Sequence, residues 1–592
     1  MPDSPKISPA LLAAQEAEAE VARHLTGRKS FLLEAGAGAG KTYSLVEALK
    51  KLLRDEGSSL RRKGQQVACI TYTNRASEVI TKRIDGDKLA SVSTIHVFCW
   101  SLIRAFQPVL RQRFQTLEGW KERLTEGVPI TQQLVEYELG YRRLTEEVIS
   151  LHHDDILALT ANFLGMPKFQ AILAGRFPYI FIDEYQDTSA DLMAAIKEHL
   201  LSRKGGPIIG LFGDHWQRIY DETCGRVTDP DLIEVGKRAN FRSATSIISI
   251  LNKMRPELPQ EFKDEEFIGS AVAFHTNGWK GTRRPSGRGG HWTGDLPEIE
   301  ARQYLEECTG FLKKNGWDFS PDKTKVLLLT HSGLAAEQGY SQLARVFPNS
   351  DNYIRKTDEH IAFFAEKLEP AVEAYGGRHY GRMFEFLGED APRLSSLEQK
   401  RIWPEAMNKL AELRTRGTVG DVVDHLLEVK HPRLPEKVFM REKSAREWED
   451  SETEPTPLPV KIVRNLRAVP YSEVTALVGY LNGHTPFTTK HSVKGDEFEN
   501  VLVVLGRGWN RYDFDQLLQW MAKPGSVTPD RLSAFERNRN LFYVCCSRPT
   551  TNLALLFTQQ LSSPSLSLLT AWFGHHQVID VGAGGFAALS AK

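Results

Sequence analysis

An α/β protein of two parallel-sheet units, each interrupted by a mainly helical insertion, is the fold class this sequence predicts. Three observations carry that expectation. An apolar strand runs straight into a Gly-rich loop and a helix, Phe31-Leu-Leu-Glu-Ala-Gly-Ala-Gly-Ala-Gly-Lys41-Thr42. A second apolar strand, Tyr179-Ile-Phe-Ile, ends in the carboxylate pair Asp183-Glu184. Short apolar strands also alternate with amphipathic helices on both sides of residue 240, the pattern of a doubly wound sheet. The 592 residues are too many for one core, so several domains are expected.

Element by element, residues 11–25 read as a short Ala- and Glu-rich helix. Strand 31–34, the Gly-rich loop and helix 42–54 follow. A charged break, Arg54-Asp-Glu-Gly-Ser-Ser-Leu-Arg-Arg-Lys63, then leads to strand 67–71. From 101 to 176 the pattern is helical, with no convincing strand. The sheet resumes at 179–182 and 207–212 and closes with Gly213-Asp214. A second α/β unit begins near Asn240, with its clearest strand at 325–330. Residues 349–472 are mostly helical and contain an acidic, Pro-bearing segment, Glu447-Trp-Glu-Asp-Ser-Glu-Thr-Glu-Pro-Thr-Pro457, expected as a solvated loop. Strand 501–505, helix 534–545 and strand 553–557 return to the second sheet. A basic loop with Trp279 and Trp292 at its ends stands apart, and a solvent role is the simpler expectation for it. The resulting domains are 1–100 with 174–239, insertion 101–173, 240–348 with 473–592, and insertion 349–472.

Composition narrows the classes. With 41% hydrophobic and 25% charged residues, the chain reads as globular. No stretch approaches the roughly 18–20 apolar residues of a membrane span. The first residues lack the apolar core of a signal peptide, so a cytoplasmic, membrane-free protein is expected. Its six cysteines have no CxxC spacing, which points to reduced thiols and against a zinc site. Lys plus Arg and Asp plus Glu are each 75, so any nucleic-acid contact must come from a local channel.

The chemistry begins at the loop. Backbone N–H groups of a Gly-rich loop at a helix N-terminus cradle phosphate oxygens. Lys41 reaches the outer phosphates, and Thr42 offers a hydroxyl to Mg²⁺. Asp183 and Glu184 supply an acid for the metal and one to orient water. Together they predict a nucleoside-triphosphate site that uses Mg²⁺.

Further motifs follow in a fixed order. Ile70-Thr-Tyr-Thr73-Asn74-Arg-Ala76 comes first, then Ser93-Thr94-Ile-His96-Val-Phe98 and Gly213-Asp214-His-Trp-Gln217-Arg-Ile-Tyr220. Ala239-Asn240-Phe241-Arg242, Thr489-Lys-His491-Ser-Val-Lys494-Gly495-Asp-Glu497 and Tyr543-Val-Cys-Cys-Ser547-Arg548 complete the set. This ordered set resembles the superfamily 1 helicases of the UvrD/Rep type, across nearly the whole chain. That resemblance implies two RecA-like P-loop motor domains, with ATP as the nucleotide. Gln15 would read the adenine edge. Ala35, Gly36, Ala37, Gly38, Ala39, Gly40, Lys41 and Thr42 would form the phosphate loop. Thr42 and Asp183 would hold Mg²⁺, with Glu184 orienting water and Gln217 sensing the γ-phosphate. Arg242 and Arg548 would act as arginine fingers, Phe241 would stack on the base, and Glu497 would meet the sugar. Thr73, Asn74, Thr94, His96, Phe98, Tyr220, Thr489 and His491 would line a single-strand channel.

One departure weakens the DNA side. Where the family has an aromatic–Arg–Gly–Ala after the tyrosine, Tyr220 is followed by Asp221-Glu222-Thr223-Cys224. The segments Thr330-His331-Ser-Gly-Leu-Ala-Ala-Glu-Gln-Gly-Tyr340 and Asn540-Leu-Phe-Tyr-Val-Cys-Cys-Ser-Arg-Pro549 resemble helicase subunits of Gabija anti-phage systems. The resemblance implies 3′-to-5′ translocation on single-stranded or tailed DNA. It also implies a nuclease partner of the OLD type, with its own ATPase and TOPRIM domains, in a hetero-oligomer. Two other roles stay open: an ATP-hydrolysing DNA sensor that licenses a nuclease with little unwinding, and a housekeeping repair helicase.

Overall fold

The computed structural model describes residues 7–589 except 125–128, 138–141, 202, 221, 286–291, 329–330, 392–394, 431, 451–454, 490–494 and 508–511. Two compact units emerge. The first comprises residues 1–273, 511–554 and 561–579, and the second 274–510, 555–560 and 580–592. These units are drawn differently from the expected domains, because 240–273 and most of 511–579 fall in the first.

The strands, in chain order, begin with β1 (Phe31–Ala35), β2 (Val67–Thr71), β3 (Ala90–Thr94), β4 (Leu134–Tyr137), β5 (Arg143–Leu144), β6 (Val148–Leu151), β7 (Tyr179–Asp183), β8 (Ile208–Gly213) and β9 (Ile233–Lys237). The first sheet has the order β3-β2-β7-β8-β1-β9. Its registered pairs are all parallel. Strands β1, β2 and β7 are buried along their whole length, as strands covered by helices on both faces must be. β1 and β7 lie one strand apart, with β8 between them, so the Gly-rich loop and the carboxylate pair leave the same sheet edge. That is where parallel α/β sheets bind ligands.

Two expectations need correcting in this unit. The charged break at 54–63 is helical: one helix runs Lys41–Lys63. Lys51 pairs with Asp55 at 2.7 Å one turn on, Leu60 is buried, and the basic residues Arg61 to Lys63 suit the negative helix end. The stop is Gly64, at φ 64. Nor is the first insertion wholly helical. β4, β6 and β5 form a three-stranded sheet in that order, with Val135, Ile149 and Leu151 buried. Strands of two to four residues are too short for alternation to reveal.

The later strands are β10 (Ala239–Asn240), β11 (Glu261–Phe262), β12 (Ser270–His275), β13 (Thr324–Leu328), β14 (Phe487–Thr489), β15 (Phe498–Leu505), β16 (Pro549–Phe557) and β17 (Val578–Asp580). A second six-stranded sheet has the order β14-β13-β15-β16-β12-β17, and β13 pairs in parallel with both of its neighbours. The division between the units falls inside β12, β16 and β17. The helical insertion of the second unit has its own core, including Phe364, Met407, Leu426 and Leu466. Of the basic loop's described residues, Arg283 lies over Trp279 and Arg284 over Trp292.

Candidate active site

The phosphate loop is built by glycines that no other residue replaces. Gly38 and Gly40 have φ 75 and 76, and a Cβ on Gly38 would sit 2.5 Å from the Asn240 side-chain oxygen. Gly40 opens helix Lys41–Lys63, aiming the helix's positive end at the loop's mouth. Across the sheet edge β7 delivers Asp183, and Glu184 follows at φ 49. A left-handed glutamate is uncommon and marks a backbone held for function.

These side chains already meet. Lys41 Nζ lies 3.1 Å from Glu184 Oε2, and the Thr42 hydroxyl donates to Asp183 Oδ2 at 3.5 Å. Gln186 also donates to Glu184 Oε2, at 2.5 Å. Burial and the adjacent Glu184 push the Asp183 carboxyl up to about 7. Burial opposes the Lys41 charge, but Glu184, Asp214 and Asp183 outweigh it and raise its pKa. This is a site with carboxylates crowded around one ammonium.

On the far side of the loop a buried chain of hydrogen bonds runs to the arginines. Asp214 accepts from Gln217 Nε2 at 2.7 Å, and Gln217 Oε1 accepts from Arg548 Nη2 at 3.1 Å. Arg548 also donates to the Val544 carbonyl, and Arg242 donates to the Ser547 carbonyl at 3.3 Å. Burial, then the charge of Arg242, lowers Arg548 to about 10, so it stays cationic at neutral pH. Gln217, Arg242 and Arg548 thus share one compact unit with Lys41, Asp183 and Glu184.

Several residues of this site carried no sequence signal. Arg255, 2% exposed, donates to Asp214 Oδ1 at 2.6 Å and to Glu34 Oε1 at 2.7 Å. Burial works against the Asp214 charge, but Arg255 and then Lys41 outweigh it and hold the carboxyl at about 2. Gln260 donates to the carbonyls of Ala37 and Ala239, both at 2.9 Å, and so braces the loop from outside. Tyr543, by contrast, opens the motif that ends in Arg548, and its hydroxyl accepts from Ala37 N at 3.4 Å. Lone Arg and Gln residues in helical or loop segments look like any surface residue in sequence. Only tertiary packing brings them here.

The other expected positions are less concentrated. Gln15 is exposed on helix Pro9–Thr26. Phe241 is partly exposed, and its N–H bonds to the Gly38 carbonyl at 2.9 Å. Glu497 is exposed and belongs to the second unit. Thr73 caps helix Asn74–Arg83 by accepting from Ala76 N, and Asn74 is exposed. Thr94 ends β3, half-buried. The His96 ring meets His153 edge-on at 5.6 Å, and burial, then His153, lowers its pKa. Phe98 requires a correction: it is 6% exposed and packs on Phe177 at 5.3 Å, so its ring serves the core and offers no face to a base. Tyr220 stacks with Tyr72 at 6.1 Å and 21°, and Tyr72, 41% exposed, was legible only as a neighbour of Thr73. Thr489 lies in β14 of the second unit, while His491 and Asp221 lie outside the described residues.

A family model described as an AAA domain matches residues 18–223, which contain the phosphate loop, Asp183-Glu184 and Gln217. The chain is 22% identical to the Gabija protein GajB of Bacillus cereus (strain HuB5-5), over 90% of this chain and 94% of that protein. It is 24% identical to the ATP-dependent DNA helicase PcrA of Staphylococcus aureus (strain NCTC 8325 / PS 47), over 38% of this chain and 37% of PcrA. The corresponding PcrA of Staphylococcus epidermidis is 23% identical over the same shares.

Proposed function

We infer that the chain is a UvrD/Rep-like ATP-dependent helicase resembling GajB, a reading that motif order, the parallel-sheet fold and the similarities support. As proposed, it hydrolyses ATP in response to single-stranded DNA and moves along it 3′ to 5′. It does so as the helicase subunit of an anti-phage complex. The observation that carries the ATPase half is the convergence of Lys41, Glu184, Thr42, Asp183, Gln217 and Arg548 at one sheet edge.

The residues divide the work. Loop N–H groups and Lys41 bind the phosphates, and Lys41 leaves Glu184 for them. Glu184, released, orients the attacking water and accepts its proton. Arg548 and Arg242 neutralise charge on the transferring group, and Gln217 links Arg548 to Asp214. Thr42 Oγ1 and Asp183 Oδ2 are hard oxygen donors facing each other, and Asp183 carries a charge that burial opposes. Both facts fit Mg²⁺. The ion would be held by those two residues and would neutralise phosphate charge. On the DNA side, Tyr72 and Tyr220 are the aromatic pair suited to stack a base.

The GajB likeness supports a place in a Gabija-type system; the proposed partner is a nuclease of the OLD type, which rests on the motif resemblance. One observation favours the sensor reading. Glu222, exposed at φ 64, follows Tyr220 and sets a carboxylate where a phosphate chain would pass. Strand displacement on 3′- and 5′-tailed duplexes separates the two. Unwinding of the 3′-tailed substrate by the isolated chain is expected. DNA-stimulated hydrolysis without unwinding would leave only the sensor.

A further inference from the structure

Among the described residues, two groups of potential metal ligands converge in the first unit, one beside the nucleotide site and one away from it. Their surroundings set them apart. Glu34, Asp214 and His215 surround Arg255, whose guanidinium bonds both carboxylates, so that group already holds its cation. His152, His153 and Asp154 are built differently.

His152 follows β6 and caps helix His153–Leu164. The two acids after His153 take separate paths. Asp155 turns inward, where Trp120 Nε1, Arg142 and the His152 N–H all donate to it at 2.8–3.0 Å. Asp154 stays outside, 72% exposed, with its carboxylate 3.1 Å from His152 Nδ1. The His153 ring lies 3.9 Å from that of His152 and 5.6 Å from that of His96. His96 comes from a different element, helix Ile95–Ile103 after β3. Three imidazoles and one carboxylate from two parts of the unit therefore crowd one half-open spot.

We propose that His152, His153 and Asp154, with His96 as fourth donor, form a site for a Zn²⁺-class divalent cation. Bonds of about 2.0–2.1 Å place tetrahedral ligands about 3.3 Å apart. The His152–Asp154 pair is already at that spacing, and the ligand atoms of His152, His153 and Asp154 all lie within 4.8 Å of one another. His96 lies outside that set, its ring 5.6 Å from that of His153, and would join it by rotating toward the ion. An imidazole majority selects Zn²⁺ over Mg²⁺ or Ca²⁺, which take oxygen sets. The positive helix end opposes a cation, and the Asp154 charge offsets it. Bound metal would tie the helix after β3 to the insertion, a constraint that the cysteine spacing could not foretell.

The test uses the untagged full chain, stripped with a chelator and titrated with Zn²⁺ against a chromophoric competitor. Co²⁺ then serves as the spectroscopic probe. One tight Zn²⁺ per chain is expected, with intense tetrahedral Co²⁺ bands, no thiolate charge-transfer band, and no competition from Mg²⁺. His152→Ala/His153→Ala should lose the tight site, about 100-fold or more in affinity. Asp154→Asn should weaken it with circular dichroism and ATP binding unchanged. The assignment is overturned by equal metal uptake in the double variant, by an octahedral Co²⁺ spectrum, or by saturation only at metal far above the protein concentration.

Discussion

The nucleotide site and the proposed DNA face are made of equally short motifs, yet the fold treats them differently. At the nucleotide site, eight side chains from five separated stretches form two bonded groups: Lys41, Thr42, Asp183 and Glu184 in one, and Asp214, Gln217 and Arg548, with Arg242 on the neighbouring Ser547 carbonyl, in the other. On the DNA side, Thr73 caps its own helix, Phe98 is core, His96 meets His153 edge-on, and Tyr220 stacks with the exposed Tyr72. The difference follows from what each site must do. Phosphoryl transfer needs charges fixed to a fraction of an ångström, so the free protein preorganises them. Sequence-independent strand binding needs only exposed hydroxyls, cations and rings along a path.

The largest expected break in that comparison is Lys41→Ala. Turnover should fall below detection while the chain remains folded, measured by phosphate release and by melting. Undiminished hydrolysis would remove the nucleotide-site assignment altogether. Arg548→Ala comes next. Its guanidinium is the cation bonded to Gln217, and loss of such a finger costs about 10³–10⁵ in rate. Nucleotide affinity should stay within a few-fold, so a collapse of binding would recast Arg548 as a structural residue.

The DNA face is sharpened by a pair of variants with opposite signatures. Tyr72→Ala and Tyr220→Ala should each weaken single-stranded DNA binding about tenfold, the ~1–3 kcal/mol of a stacked base. DNA-free hydrolysis should not change. Phe98→Ala should do the reverse, lowering stability by about 3–5 kcal/mol as a buried ring does and leaving the affinity of the folded protein alone. If Phe98→Ala instead abolishes DNA binding without loss of stability, its placement in the core is wrong.

These contrasts show what sequence could convey. A strand, a Gly-rich loop and a helix are contiguous, so the cradle from Gly36 to Thr42 was readable directly. Asp183-Glu184 was readable because a buried apolar strand has no other reason to end in two acids. Motif order supplied Gln217, Arg242 and Arg548. Arg255 and Gln260 were silent because their partners, Asp214, Glu34 and Ala37, are distant in sequence. The short strands β4 to β6 escaped for lack of length. Helix Lys41–Lys63 was cut too early because Asp55-Glu56-Gly57-Ser58 reads as a turn, whereas Lys51–Asp55 pairing and buried Leu60 carry the helix through it.

The smallest expected effect concerns the cost of preorganisation itself. Burial and Glu184 raise Asp183 from an ordinary carboxylate value to about 7 in the folded, nucleotide-free chain. An unfolded chain releases that proton near pH 4. Between those values the folded state binds more protons, so stability falls as pH rises from about 4 to 7 and stays reduced above. Asp183→Asn removes the ionisable group. The variant should therefore melt a few degrees above the parent at pH 8, where about 1 kcal/mol moves a domain of this size by roughly 2–4 °C. At pH 5 the gap should close. Mg²⁺ with a nonhydrolysable nucleotide should reverse the order at pH 8, because only the parent keeps the carboxylate that welcomes the ion. A variant that is less stable at both pH values would show that Asp183 is held comfortably as an anion. The charge crowding that distinguishes this site from the DNA face would then be absent.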